Sequence, residues 1–362
     1  MLPRALKYAI YLCSPLCIAT VTQKAGSEGI EPMPGPWGAK KAIAPNRVLE
    51  LNRGCVNCHR EIATEWQASL HATAYTHAEF QRALQVEPLP VCKGCHAPDT
   101  NPEARDNPAV QRLGVSCVTC HVVAGDIVAV PGTSPAKTHP VLRRASFATV
   151  QACANCHQFA FPGESSRSPL NLMQSTVNEF LVQGGSEMGC SGCHMPQMEA
   201  GHRSHRFDVT RNSAFLQAAL RVAAVRKDNH HVELRLTPRH VGHAFPTGDL
   251  FRRLTVEVEA LGPEYSRVEA HAQCLTREFE TTITAGGVKH RRPVSDTRIP
   301  ASGIMPPMVF EWVNDISQYP VLYRVLYQRV QHPGMVGQPD AEVAGEVELA
   351  SGELRVSGDQ NH

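Results

Sequence analysis

The chain has 362 residues, of which 42% are hydrophobic, and this is enough for a sizeable globular core and for two domains. Its 35 basic and 34 acidic side chains give a formal net charge of +1. This balance argues against nucleic acid as a partner, since no run of like charges stands out. The chain also holds 13 cysteines and 18 histidines, a content that needs a disulfide, metal or cofactor explanation.

The first residues of the chain have the pattern of an export signal. Arg4 and Lys7 precede an uncharged stretch, and small residues follow it. An uncleaved membrane anchor is the alternative, but a span needs about 20 apolar residues and Pro15 interrupts this shorter stretch. We therefore predict a signal peptide over residues 1–25 and a periplasmic or otherwise exported protein, with membrane association through an uncleaved leader as the alternative.

Five C-x-x-C-H motifs use ten of the 13 cysteines. They are CVNCH (Cys55, Cys58, His59), CKGCH (Cys92, Cys95, His96), CVTCH (Cys117, Cys120, His121), CANCH (Cys153, Cys156, His157) and CSGCH (Cys190, Cys193, His194). The composition would produce about 0.02 such motifs by chance. In this spacing two thiols bond the vinyl groups of one haem, and the adjacent histidine turns its imidazole to the iron. The sequence therefore predicts five covalently attached haem c groups.

Zinc and disulfides are the competing explanations for these cysteines. Zinc ribbons pair two C-x-x-C knuckles and do not need a histidine after every one. Disulfides are plausible in an exported protein, but a three-residue spacing closes only small loops that stabilise little of a fold. Both explanations are weaker than haem attachment.

The second axial ligand of each iron decides between electron transfer and catalysis. A second histidine makes a low-spin electron carrier, whereas an empty sixth position admits a small molecule. After the first motif, Ile62, Trp66 and Leu70 form an apolar stripe that predicts a helix carrying His71. His71 is then well placed to ligate a neighbouring haem, while for His77 a solvated histidine and a ligand both stay open.

Two later loops offer further ligands. His139 is the one additional histidine in the Gly- and Pro-rich loop after the third motif. His202 and His205 follow the fifth motif, and we favour His205 because only one of the two can reach a given iron. The remaining candidates beside the haems are Met188, Met195 and Met198, which more often pack against a porphyrin than ligate it.

Residues 55–207 resemble the multihaem cytochromes that include the small tetrahaem acceptors of hydroxylamine oxidoreductase and that oxidoreductase itself. The resemblance lies in the ordered words CVNCHREIATEWQASLHA, VCKGCHAP, LGVSCVTCHVV, QACANCHQF, CSGCHMP and HRSHRF. It implies that His71, His139 and His205 ligate iron. It does not extend to catalysis, because the chain has no C-x-x-C-K variant and fewer haem motifs than hydroxylamine oxidoreductases.

From about Asp208 the haem motifs stop, and apolar and polar residues alternate between turns in words such as HVELRLTPR and RRLTVEVEAL. This pattern predicts a β-sandwich. The loop RHVGHAFPTGDLFRR holds His240 and His243 and is expected to face the haem domain. Its GHAFPTG word resembles a module on exported multihaem cytochromes, which implies that His243 ligates a haem; the alternative is a histidine paired within its own turn.

The predicted architecture is α+β: a linker (26–46), a loop-rich α-helical pentahaem domain (47–207) and an antiparallel β-sandwich (208–362). The predicted function is periplasmic electron transfer through mostly bis-His haems. The redox partners would be a membrane quinol-oxidising cytochrome or a periplasmic reductase. Two alternatives remain, an oxidoreductase that acts on a small nitrogen or sulfur compound at one five-coordinate haem, and a sensing protein. The oligomeric state and the fifth distal ligand stay open, with His77, His202, His240 or a methionine as candidates for the latter.

Overall fold

The computed structural model describes residues 43–100, 107–132, 138–161, 172–185, 189–207, 212–283, 289–336 and 340–356. All of them belong to one compact unit, residues 31–362. The predicted signal peptide and most of the predicted linker lie outside the described residues. Within the described ranges no helix has the length and apolar character to cross a membrane.

The amino-terminal part consists of short helices joined by loops and very short strands. The helices are α1 (Pro45–Cys58), α2 (Arg60–Gln67), α3 (Ala78–Val86), α4 (Lys93–His96), α5 (Pro108–Gln111), α6 (Cys117–His121), α7 (Gln151–His157), α8 (Thr176–Val182) and α9 (Ser191–His194). The strands are β1 (Val122–Val123), β2 (Asp126–Ala129), β3 (Leu142–Arg143), β4 (Gln158–Ala160) and β5 (Leu172–Ser175). Every C-x-x-C-H motif lies at the carboxyl end of a helix.

Polar capping sets the start of the helix at the third motif. Ser116 and Thr119 form a capping box at the amino end of α6, and both hydroxyls donate to Asp99 at 2.6 Å. Asn52 of α1 accepts a hydrogen bond from the backbone of Cys117 at 3.1 Å. These bonds fix the orientation of the third motif relative to the first.

The described apolar core of this part is small. One buried cluster contains only Val48, Val110, Val118 and Val122. A chain segment with so little apolar packing needs another source of burial to offset its conformational entropy. Porphyrin rings would supply that burial.

The predicted helix through His71 is shorter than expected. The helix α2 ends at Gln67, and His71 lies in the turns that follow. The Ser69 hydroxyl accepts a hydrogen bond from the backbone of Ala72 at 3.3 Å, which replaces the helical bond of that amide. The apolar stripe predicted the helix correctly up to Trp66 but not its end.

The carboxy-terminal part begins with α10 (Ser213–Ala218) and continues almost entirely as strands. These are β6 (Leu220–Arg226), β7 (His231–Pro238), β8 (Arg252–Leu261), β9 (Arg267–Leu275), β10 (Arg277–Ile283), β11 (Lys289–Asp296), β12 (Met308–Glu311), β13 (Val321–Val330), β14 (Gly334–Met335) and β15 (Val343–Leu354). The described strands of this part form three sheets, with strand orders β12-β7-β6, β15-β13-β8-β9 and β11-β10-β14.

The first two of these sheets share one core. Val232 and Leu234 of β7 lie in the same buried cluster as Val256 of β8 and Val325 of β13, together with the fully buried ring of Trp312. Residues of one strand alternate between this core and the outside, as expected for an antiparallel sandwich. The predicted α+β class with a carboxy-terminal antiparallel β module is therefore confirmed.

Candidate haem-binding site

A large cavity connects the amino-terminal part with the edge of the β module. Its volume is about 3120 Å³, several times the roughly 300–1,000 Å³ of a pocket for one small molecule. The five motif histidines line it, as do all four predicted distal histidines. The cavity has room for a set of large apolar cofactors.

Four of the five motif histidines face a second histidine across this cavity. The ring-centre distances are 6.2 Å for His59–His139, 6.3 Å for His71–His157, 6.2 Å for His121–His205 and 6.3 Å for His194–His243. Two imidazoles that bind one metal from opposite sides have each nitrogen about 2 Å from the metal, which puts the ring centres about 6 Å apart. The observed spacings therefore fit one iron within each pair.

Hydrogen bonds orient these rings. Five of them have Nδ1 within 3.1 Å of a backbone carbonyl oxygen: His96 with Ala74, His121 with Val128, His139 with Pro140, His205 with Arg203 and His243 with Ala244. Such a carbonyl can only accept, so each ring donates its Nδ1 proton and keeps Nε2 unprotonated. This is the second-shell arrangement typical of metal-ligating histidines.

Burial keeps the imidazoles neutral. It lowers the pKa of His71 to about 3, with a further lowering from neighbouring histidines. Burial also lowers the pKa of His157 and of His194 to about 4. Only a neutral imidazole has a lone pair for iron, so these rings have the protonation state that ligation requires.

Glu65 of α2 distinguishes the two histidines that follow the fifth motif. Its carboxylate contacts Nε2 of His202 at 3.1 Å and accepts the backbone N–H of His205 at 2.8 Å. The atom of His202 that would ligate is thus occupied, whereas the His205 ring faces His121. Burial on its own would raise the pKa of Glu65, but the hydrogen bonds from His205 and His202 outweigh it and hold that pKa below its usual value.

The loop that carries His243 is fixed by a buried carboxylate of α8. Glu179 accepts hydrogen bonds from Ser175 at 2.5 Å, from Thr247 at 2.6 Å and from Arg298 at 2.9 Å. Thr247 lies four residues after His243, so these bonds tie the loop of the β module to the haem-binding part. This network holds the loop between β7 and β8, which carries His243, in place beside His194 of the fifth motif.

The motifs themselves lie next to one another. Cysteine side chains of different motifs lie close together in three pairs: Cys55 with Cys117, Cys95 with Cys156, and Cys153 with Cys190. All the cysteines that the structure describes are free of disulfides. The first motif is thus adjacent to the third, and the fourth is adjacent to both the second and the fifth.

The histidine of the second motif has His77 in its electrostatic surroundings: burial lowers the pKa of His96 most, and the charge of His77 lowers it further. Its Nδ1 contacts the carbonyl of Ala74 at 2.8 Å, and Phe80 of α3 stacks on the face of the His96 ring at a centre distance of 3.8 Å. Phe80 therefore orients the ring without occupying the far side of an iron. Of the candidates for a fifth distal ligand, Met188 lies outside the described residues.

Sequence reasoning missed the polar side chains around the cavity. Glu65, Glu179, Asp249, Arg252 and Tyr327 belong to no motif, and the bonds Glu65–His205, Glu179–Thr247 and Arg252–Tyr327 join residues 68 to 140 positions apart. The sequence PTGDLFRR by itself indicates only a turn, although its Asp249 and Arg252 line the cavity. Only the unusual combination of an acidic and two basic residues beside a predicted haem-facing loop could have drawn attention to them.

A family model and a solved structure match this chain. Residues 54–122 match the family described as cytochrome c554 and c-prime. No curated protein matches the chain. The structure resembles that of a penta-heme cytochrome c552 from Thermochromatium tepidum, with a TM-score of 0.63, 20% sequence identity, and coverage of 83% of this chain and 97% of that one. At this identity the likeness concerns the fold. Together with the five motifs, these findings support a multihaem c-type cytochrome that carries five covalently attached haem c groups, and they suggest redox proteins as its partners.

Proposed function

We propose that the protein is a periplasmic electron carrier in which four haems have two histidine ligands each. The four histidine pairs at 6.2–6.3 Å are the observation that carries this proposal. When bound, haem supplies reversible one-electron chemistry, and the chain's contribution is to hold the rings in fixed positions. The export pattern at the amino terminus supports the periplasmic location.

The contacts between C-x-x-C-H motifs support electron transfer from haem to haem along the molecule. The thiol contacts between the first and third motifs, and between the fourth motif and both the second and the fifth, put the attachment sites of successive haems side by side. An electron that enters at one end can then pass between neighbours. A membrane quinol-oxidising cytochrome as donor and a periplasmic reductase as acceptor would fit a carrier of this kind.

The contrast between His205 and His202 provides a sharp test of the ligand assignment. In His205→Ala the ring opposite His121 is lost, and we expect one low-spin ferric haem to become high-spin in the electron paramagnetic resonance spectrum. His202→Ala is the matched control, because its Nε2 contacts Glu65, and it should leave the number of low-spin haems unchanged. Equal spectra for the two variants would refute the assignment.

A second function is favoured by the surroundings of His96. Phe80 stacks on the ring of His96, and the described histidine pairs at 6.2–6.3 Å belong to the other four motif histidines. A five-coordinate haem at this position would bind a small nitrogen or sulfur compound, and the other four would exchange electrons with it. An added nitrogen or sulfur compound that converts only a high-spin ferric signal in the electron paramagnetic resonance spectrum, and leaves the low-spin signals unchanged, would support this oxidoreductase function. A spectrum without any high-spin haem would contradict it.

A further inference from the structure

Gln174 places a buried side-chain amide beside the histidine of the fourth motif. Its amide nitrogen Nε2 lies 2.9 Å from Nδ1 of His157 and donates to the Thr176 hydroxyl at 3.3 Å. Gln174 is only 7% exposed, and it lines the cavity. Because a buried amide needs partners for its polar atoms, the contact with the ring has an energetic consequence.

A short hairpin brings Gln174 to this place. The strand β4 begins directly after His157, and β5 runs antiparallel to it with Gln174 opposite Phe159. Leu172 and Gln174 occupy the buried positions of β5, so both side chains point to the same interior face. A glutamine thus stands where the alternation would place an apolar residue, which favours a role beyond packing.

His157 differs from the other proposed ligands in the partner of its ring. Five of those other rings have Nδ1 beside a backbone carbonyl oxygen. In the part of the chain that the structure describes, His157 is the one proposed ligand whose Nδ1 lies beside a side chain. The partner of this ring can therefore be changed by a single substitution.

Iron ligation decides which end of the amide faces the ring. A histidine that binds iron through Nε2 carries its remaining proton on Nδ1, and this N–H needs an acceptor. The amide nitrogen of Gln174 is only a donor, but a half-turn of the amide puts the acceptor Oε1 in its place. The Thr176 hydroxyl suits both orientations, since it can accept from the nitrogen or donate to the oxygen.

We propose that Gln174 is a positioning residue for the haem attached at the fourth motif, and that its Oε1 accepts the Nδ1 proton of His157 in the haem-loaded protein. This bond holds the ring in one rotation and makes it a more basic ligand. A more basic ligand favours ferric iron, so the bond lowers the reduction potential of this haem. The inference rests on the bis-histidine ligation proposed above.

A redox titration of the holoprotein at pH 8, followed by electron paramagnetic resonance, tests the direction of this effect. The low-spin signal that disappears in His71→Ala identifies the haem at His157, because His71 faces that ring. Gln174→Leu removes the acceptor, and the equilibrium constant for reduction of this haem should rise about three- to tenfold, or about 30–60 mV. Gln174→Glu supplies a charged, stronger acceptor, so the same constant should fall.

Gln158→Leu is the matched control. Gln158 lies on the same hairpin and next to His157 in the chain, but its Oε1 accepts the backbone N–H of Asn178 at 3.3 Å. This variant loses a hydrogen bond of the hairpin and should keep all the reduction potentials of the unmodified protein. Either Gln174 variant alone still gives a predicted sign if the other does not fold.

The outcomes separate this inference from the proposed function. Unchanged potentials in the Gln174 variants, or shifts of the same sign in Gln174→Leu and Gln174→Glu, would overturn it and leave bis-histidine ligation intact. A lower free energy of unfolding with unchanged potentials would also overturn it, because Gln174 would then be a purely structural residue. If His71→Ala removed no low-spin signal, the pairing of His71 with His157 and the proposed function would be contradicted instead.

Discussion

The buried ion pair between Glu179 and Arg298 should contribute far more to stability than an exposed pair of the same chemistry. Glu179 and Arg298 are 11% and 7% exposed, with 2.9 Å between their charged atoms. Removal of one partner of a buried pair costs about 3–5 kcal/mol, because the other charge stays buried. Arg298 keeps Asp296 as a second partner at 2.7 Å, so we expect the lower end, about 3 kcal/mol, for Glu179→Ala.

A double-mutant cycle isolates this interaction. The variants Glu179→Ala, Arg298→Ala and their combination would be unfolded with guanidinium and followed by far-ultraviolet circular dichroism. We expect a coupling free energy of about 2 kcal/mol at pH 7. The control cycle uses Glu257 and Arg324, which are 33% and 54% exposed, and should give less than about 1 kcal/mol.

The same double-mutant cycle, repeated at acid pH, tests the coupling free energy a second time. Burial alone would raise the pKa of Glu179, but Arg298 and the hydrogen bonds from Ser175 and Thr247 lower it below the ordinary carboxyl value. A lowered pKa in the folded state means that the stabilisation is complete above the unfolded pKa and is lost as the pH falls through the folded one. A buried-pair coupling no larger than that of the exposed pair, or one unaffected by acid, would refute the reasoning.

Two further predictions concern a turn and a half-buried carboxylate. Gly114 has a φ of +60°, and a Cβ there would lie 2.4 Å from the carbonyl oxygen of His71. Gly114→Ala should therefore displace His71 and change the low-spin signal of the haem at His157, whereas Gly125→Ala, at φ +96° with no atom within 4 Å, should change only the free energy of unfolding. Burial on its own would raise the pKa of Glu269. The backbone N–H groups of Val313 and Asn314 donate hydrogen bonds to its carboxylate, and these outweigh burial and lower the pKa to about 2. The stability difference between the unmodified protein and Glu269→Gln should thus shrink as the pH falls from about 4.5 to about 2, and a constant difference would contradict it.

The motif residues could be predicted from sequence because covalent haem attachment requires a local pattern. The alternation of apolar residues likewise predicted β7, β8 and β15, since one face of each strand meets the common core. The strand β13 was not predicted, because its VLYRVLYQRV sequence is apolar on both faces and shows no alternation. It is a central strand between β8 and β15.

The pairing of each distal histidine with a motif could not be derived from sequence. His71 follows the first motif but faces His157 of the fourth, and His205 follows the fifth but faces His121 of the third. These pairings depend on the packing of short helices across the cavity. The same holds for Asp249 and Tyr327, which are 78 residues apart in number and meet only because Arg252 bridges them.

Spin quantification of the oxidised, purified holoprotein by electron paramagnetic resonance tests the central claim most directly. The four histidine pairs predict at least four low-spin ferric haems per chain. Two or more high-spin haems would contradict the proposed bis-histidine ligation.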